Sequence, residues 1–319
     1  MSKIIAVVGA TGAQGGSVVS AFLNKGEWKV RGLSRNPNSE QAKLLAAKGV
    51  EMVTADVNDE ASLVRAFEGV TAIFAMTDFI QPFMKLDSDA VMALEYNQGV
   101  NMAKAALQTP TLKHYIWSTL PNTEKVSGGK FVVPHFDAKA KVDDFIKSKP
   151  ELLAKTTFLW ITFFSSNFFY PPFTPHHLKS IGTYVYIQPV SRSTLFCAAG
   201  DVSVNIGVFV KGILSNPSKT LSKYVIVQVE EMTNEEYILL WGKATGKNVK
   251  YVQIPYEEYD KLFPKWGAEM GVMLLFWEWA GDKSWSGEPE ILTGADLGVE
   301  GELVGSEKAF ETTDWSAFD

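Results

Sequence analysis

Val7-Val8-Gly9-Ala10-Thr11-Gly12-Ala13-Gln14-Gly15-Gly16 sets three glycines at spacings of three behind an apolar run that begins at Lys3, and Val18, Val19, Phe22 and Leu23 follow at helical spacing. A strand, a glycine turn and a helix in that order open a dinucleotide-binding unit. The first glycine permits a tight turn, the second lets a pyrophosphate approach bare backbone, and the third lets the helix pack closely on its strand. The orphan N–H groups and the dipole at the helix start then favour the phosphates.

Outward from this stretch, β-branched runs alternate with amphipathic helical stretches through residue 165, the pattern of successive βαβ units on a parallel sheet. Strands are expected at 3–8, 28–33, 51–55, 71–76, 114–118 and 157–163. Ser39 can cap a helix that ends before Gly49, and Asn58 one that ends before Gly69. From about 165 the pattern changes: Pro171, Pro172, Pro175, His176 and His177 interrupt periodicity before strands return near 183–188 and 194–199. Asp201 reads as the cap of a helix to Leu214, and a strand is expected at 224–229. Thr233 and Glu236 form a capping box, followed by a strand at 249–254 and a helix around 268–280. The tail from 281 reads as loop. The expected fold is α/β: a doubly wound parallel-sheet Rossmann unit over 1–165, with a smaller mixed α/β lobe over 166–319 that partly extends the sheet and serves a substrate or partner.

A chain of 319 residues can bury a sizeable core without disulfides. Its one cysteine, Cys197, lies in the apolar run Leu195-Phe196-Cys197-Ala198-Ala199 and reads as a buried structural thiol. A net charge of −6 with interspersed signs offers no basic stripe, so no direct nucleic-acid binding is expected. No charged-then-apolar leader and no apolar run near the roughly 18 residues of a spanning helix is read, so no membrane contact is expected and the compartment is expected to be cytoplasmic or nucleocytoplasmic. Many of the 20 Phe, 10 Tyr and 9 Trp fall after residue 155. That asymmetry suggests an apolar pocket or partner surface there, and permits a homodimer.

Cofactor choice is made at the end of the second strand, which here reads Arg31-Gly32-Leu33-Ser34-Arg35-Asn36 without an acid. Arg35, about twenty residues beyond Gly15, offers a planar guanidinium for a 2′-phosphate, so NADP(H) is expected over NAD. Asp56 ends the third strand, where it can accept from the adenine amino group with Val57 beside the ring, or cap a helix. Thr77 lies at the end of the fourth strand, where small or polar residues would line the nicotinamide ribose.

These segments, with Thr77-Asp78-Phe79 and His135-Phe136-Asp137-Ala138-Lys139, resemble the NmrA-like family of atypical short-chain dehydrogenases, which includes negative transcriptional regulators, redox sensors and relatives of quinone and isoflavone reductases. The resemblance is firm over the first 165 residues and looser beyond. It implies that Gly9, Thr11, Gly12, Ala13, Gln14 and Gly15 bind the pyrophosphate, Arg35 the 2′-phosphate, Asp56 and Val57 the adenine side, and Thr77 the nicotinamide half. Phe164 and Asn167, in Phe163-Phe164-Ser165-Ser166-Asn167-Phe168-Phe169-Tyr170, resemble the family segment over the nicotinamide; an aromatic cluster of this kind is more often core.

Ordinary short-chain dehydrogenases place a tyrosine four residues before a lysine, and here that spacing holds His135 and Lys139. Lys139 is expected to contact the nicotinamide ribose, and can act as acid or base if desolvation lowers its pKa. His135 can replace the tyrosine, or cap its helix or face solvent. Ser118, with Thr119, stands where a hydroxyl would polarise a substrate carbonyl, or would satisfy its own loop. His176 and His177 point apart in extended chain and find no third ligand, so no metal site is expected. The stretch from Met270 to Trp279 reads as a packed helix or as a lid. The leading expectation is an NADP(H)-dependent oxidoreductase for an apolar or aromatic carbonyl, enone or quinone-like molecule. The alternative is an NADP(H)-sensing regulator acting through a protein partner.

Overall fold

The computed structural model describes residues 3–24 and 26–318. The first half supplies strands β1 (Lys3–Val7), β2 (Trp28–Ser34), β3 (Glu51–Thr54), β4 (Ala72–Ala75), β5 (His114–Thr119) and β6 (Thr156–Ile161). The second supplies β7 (His176–Leu178), β8 (Thr183–Gln188), β9 (Leu195–Ala198), β10 (Tyr224–Val227), β11 (Glu230–Thr233), β12 (Val249–Gln253) and β13 (Ile291–Leu292). Eight of them form one parallel sheet in the order β13-β10-β6-β5-β4-β1-β2-β3. The order reverses between β1 and β4, and ligands collect outside the carboxyl ends of strands at such a switch.

Both faces of this sheet are covered, which is why its strands read as nearly continuous apolar runs. Ile5 and Val7 on β1 point to one face, where Val18, Val19 and Phe22 of the helix Ala13–Phe22 pack with Ile206, Val210 and Ile213 of the helix Val202–Ser215. Ala6 and Val8 point to the other, against Leu63, Met102 and Ala106, and Val142 and Ile146, from the helices Glu60–Ala66, Ser88–Leu107 and Pro134–Lys147. The chain after 165 therefore contributes two strands and a helix to the central layers, and its remaining strands pair as β12-β8-β7 and β11-β9.

The late aromatic residues are mostly core. Phe163, Phe168, Phe196, Tyr237, Trp241 and Trp277 are buried together, and Met273, Leu274 and Phe276 seat the helix Trp266–Ala280 in the same cluster. Cys197 is 7% exposed, and burial pushes its thiol up to about 12. Among the described residues no helix is long and apolar enough to cross a membrane.

Local chemistry departs from expectation at three places. The helix after β3 is capped by Asp59, whose carboxylate accepts from Ala61 N, while Asn58 is held by Asp56. A one-residue shift in a run of three possible caps changes nothing downstream. His176 and His177 belong to a strand, β7, paired antiparallel with β8. The tail from 281 is not loop throughout: β13 completes the central sheet, and the helix Ser306–Thr312 buries Phe310.

The two helices on the first face touch at Gly207. A Cβ there would lie 2.4 Å from Ser17 O and 2.7 Å from the Ala21 methyl, and Gly207 N donates to Ser17 Oγ at 2.9 Å. Gly207→Ala is expected to destabilise the protein by about 1–3 kcal/mol, the usual cost of overpacking. Urea unfolding measures it, and an unchanged midpoint would contradict the close approach.

Candidate functional site

Every expected site residue of the first half lies at or just beyond a carboxyl end of β1 to β6, or on the helices that follow. Gly9 takes a left-handed φ of +69°, and a Cβ on it would lie 2.7 Å from Met76 Sδ. A Cβ on Gly15 would lie 2.2 Å from Gly9 O, so the helix meets the loop too closely for any side chain. Gly12 N donates to Gly9 O at 2.8 Å and Gly12 caps the helix without a side chain; no acid stands in the first turn. Thr11, Gly12 and Ala13 are exposed, leaving the first N–H groups and the positive end of the dipole open to an anion. Gln14 Oε1 accepts from Ser118 Oγ at 2.8 Å, so Ser118 is directed at the glycine loop.

Arg35 is exposed just past β2 and makes no hydrogen bond or ion pair among the described residues. Arg31, four residues earlier, is bound instead to Glu51 and to the carbonyls of Ala66 and Glu68. Asp56 follows the neighbouring strand end, since Ser34 pairs with Thr54. Its Oδ1 accepts from Asn58 N at 2.9 Å and Asn58 Nδ2 at 2.8 Å, and Asn101 Nδ2 donates to Val57 O at 3.1 Å. The helix Ser88–Leu107 thus fixes the loop that carries Asp56 and Val57.

The densest chemistry is at Lys139. Its ammonium donates to Thr77 Oγ1 at 2.6 Å, to Thr77 O at 3.3 Å and to Glu95 Oε1 at 2.6 Å, while Thr77 Oγ1 donates to the same carboxylate oxygen at 2.7 Å. All three ammonium protons have acceptors. Glu95 is 1% exposed, and its Oε2 is buried without a partner.

One turn earlier on the same helix, His135 Nδ1 lies 2.6 Å from Glu269 Oε1, and His135 N donates to that oxygen at 3.1 Å. Its helix is capped by Val133, and its side chain is 13% exposed. One turn beyond Lys139, Asp143 accepts from Trp117 Nε1, Thr119 Oγ1 and Tyr224 OH. Burial raises its carboxyl to about 8, working against those three donors. Thr119 is therefore tied into the core.

Beyond β6, Phe164 is half-buried against the first-face core, and the side chain of half-buried Asn167 makes no hydrogen bond among the described residues. Phe163 and Phe168 are core. His177 stacks on Tyr184 at 4.4 Å and His176 on Phe263 at 5.9 Å, and among the described residues no group of three His, Cys, Asp or Glu could hold a metal.

Glu95 and Glu269 were not among the residues expected from sequence. Each sits in an apolar helical stripe, Val91-Glu95-Met102 and Trp266-Glu269-Met270-Met273, and that placement of an acid is the signal that marks them.

A doubly wound sheet with a glycine loop at its switch point defines a dinucleotide-binding fold. The chain belongs to the NmrA-like family, whose model matches residues 1–288. An NmrA-like family domain-containing protein of Dictyostelium discoideum is 29% identical over 297 residues, covering 91% of this chain and 93% of that one. Among solved structures, NmrA, a negative transcriptional regulator in complex with NAD, has a TM-score of 0.75 at 20% identity, covering 98% of this chain and 96% of its own. An NADPH-dependent quinone oxidoreductase of Escherichia coli, complexed with NADPH, has a TM-score of 0.69 at 16% identity, covering 96% and 98%.

Removing one member of a buried ion pair leaves the other charge without compensation. Glu95→Ala is expected to cost about 3–5 kcal/mol in chemical denaturation, and Glu95→Ala with Lys139→Ala less than the sum of the single changes. A loss in Glu95→Ala as small as that of a surface pair would contradict the pairing.

Proposed function

We propose that the protein is an NADP(H)-dependent oxidoreductase that reduces an apolar carbonyl, enone or quinone-like molecule. The observation that carries the reading is a phosphate end left open and a cationic end held fixed: among the described residues Arg35 is unpaired just past β2, the glycine-loop helix has no side-chain cap, and Lys139 is pinned at the end of β4. The residues present fit the dinucleotide. Gly9, Thr11, Gly12, Ala13, Gln14 and Gly15 would hold the pyrophosphate, Arg35 the 2′-phosphate, Asp56 and Val57 the adenine side. Thr77, Lys139, Phe164 and Asn167 would border the nicotinamide half, with Ser118 steadying the loop through Gln14. NADPH, when bound, supplies the hydride.

Residues 1–165 form the cofactor unit in this reading, and 166–319 the lobe that covers the substrate. Lys139 acts as a fixed positive charge, since each of its protons already has an acceptor. The second reading, an NADP(H)-sensing regulator, is favoured by the same saturation of Lys139 and by the absence of a tyrosine at 135. Sensing requires the two redox forms to bind with different affinity to two states of the protein.

The reading is tested by NADPH oxidation with 1,4-naphthoquinone and cinnamaldehyde, alongside equilibrium binding of NADPH and NADH to wild type and Arg35→Ala. Loss of a charge-assisted phosphate contact worth about 1.5–3 kcal/mol predicts roughly 10- to 100-fold weaker NADPH binding with NADH little changed. Tight NADPH binding with no turnover, and a partner affinity that differs between NADP and NADPH, would favour the regulator.

A further inference from the structure

We infer that His135 and Glu269 form a proton-delivering dyad, in which Glu269, a positioning residue from the second half of the chain, holds His135 so that its transferable proton is at Nε2. The inference rests on the reductase reading and names its proton source.

Three observations carry it. First, Lys139 has no donor to spare, because Thr77 and Glu95 take all three of its protons. Second, the four-residue spacing places His135 on the same helix face as Lys139, and both grip the loop that leaves β4: Lys139 through Thr77, His135 through its ring, 5.6 Å from that of Phe79. Third, the Glu269 carboxylate is 2% exposed and meets both Nδ1 and the backbone N of His135, whereas Nε2 has no hydrogen-bond partner among the described residues and is not among their buried unpartnered atoms.

A carboxylate at Nδ1 fixes the tautomer. In the neutral ring Nδ1 carries the hydrogen and donates to Glu269, so the proton gained or lost in turnover is on Nε2. During reduction the hydride forms a bond to the carbonyl carbon, the electron pair of the C=O π bond moves to oxygen, and that oxygen takes the Nε2 proton. The hydride leaves NADPH, which becomes NADP+; His135, doubly protonated before the step, is left neutral with Nδ1–H on Glu269, and a proton taken up from bulk solvent restores Nε2–H. A tyrosine is then unnecessary at this position.

The test is a nitrogen-15 spectrum of the full chain labelled at its four histidines, with and without NADPH, His135 being assigned by its loss in His135→Asn. The neutral ring is expected as the Nδ1–H tautomer in wild type. Glu269→Gln, which keeps an acceptor without charge, retains that tautomer and part of the turnover. Glu269→Met loses the tautomer and, like His135→Asn, lowers kcat for naphthoquinone or cinnamaldehyde about 100-fold or more, with the Kd for NADPH unchanged. A neutral His135 that is Nε2–H in wild type, or full kcat in His135→Asn, overturns the dyad. Should Glu269→Met fail to fold by circular dichroism, the wild-type tautomer and the kcat of His135→Asn together decide. If wild type shows Nδ1–H but oxidises no NADPH, it is the reductase reading that fails.

Discussion

The buried pair of Lys139 and Glu95 is the constraint on which the site depends. Two ions nearly out of water are tolerated only when close and well hydrogen-bonded, and here Thr77 bonds to both partners. The pair lies in the middle of a face of the helix Pro134–Lys147 that presents His135, Lys139, Asp143 and Lys147 at intervals of four. Each meets a different part of the chain: Glu269 on the helix Trp266–Ala280, Glu95 and Thr77, then Trp117, Thr119 and Tyr224 on β5 and β10, and finally Glu288. One helix face thereby fixes the carboxyl end of β4 against the sheet and against the second half.

This face holds in place the two positions where ordinary short-chain dehydrogenases carry a tyrosine and a lysine. The lysine is held by an acid from a neighbouring helix, and the position four residues earlier is held by an acid from the distant half of the chain. These contacts join residues on both sides of 165, and the helix Val202–Ser215 packing on the glycine-loop helix binds the halves together elsewhere.

Much of the fold was legible because its signals are local. The glycine loop, the six early strands and the caps Ser39, Asp201 and Thr233 depend on residues within a few positions of one another, and the described structure carries them. The departures come from context. β13 has two residues, too few for any period, and exists because β10 leaves it an edge. Many of the late aromatic residues, read from sequence as a sign of an apolar pocket or partner surface, pack in one core cluster, where large rings bury much apolar area. Glu95 and Glu269 were missed for a related reason. In a helical stripe an acid reads as an interruption, and only its partner, 44 or 134 residues away in the chain, turns it into a site.

The most direct measurement of the central claim is a crystal structure of the full chain with NADPH. The account predicts the pyrophosphate on the N–H groups at the start of the helix Ala13–Phe22, the 2′-phosphate on Arg35, the nicotinamide beside Thr77, and open space opposite its C4 for a reacting carbonyl. A dinucleotide bound away from the switch between β1 and β4, or a C4 face covered by Phe164 with no room for a substrate, would contradict it.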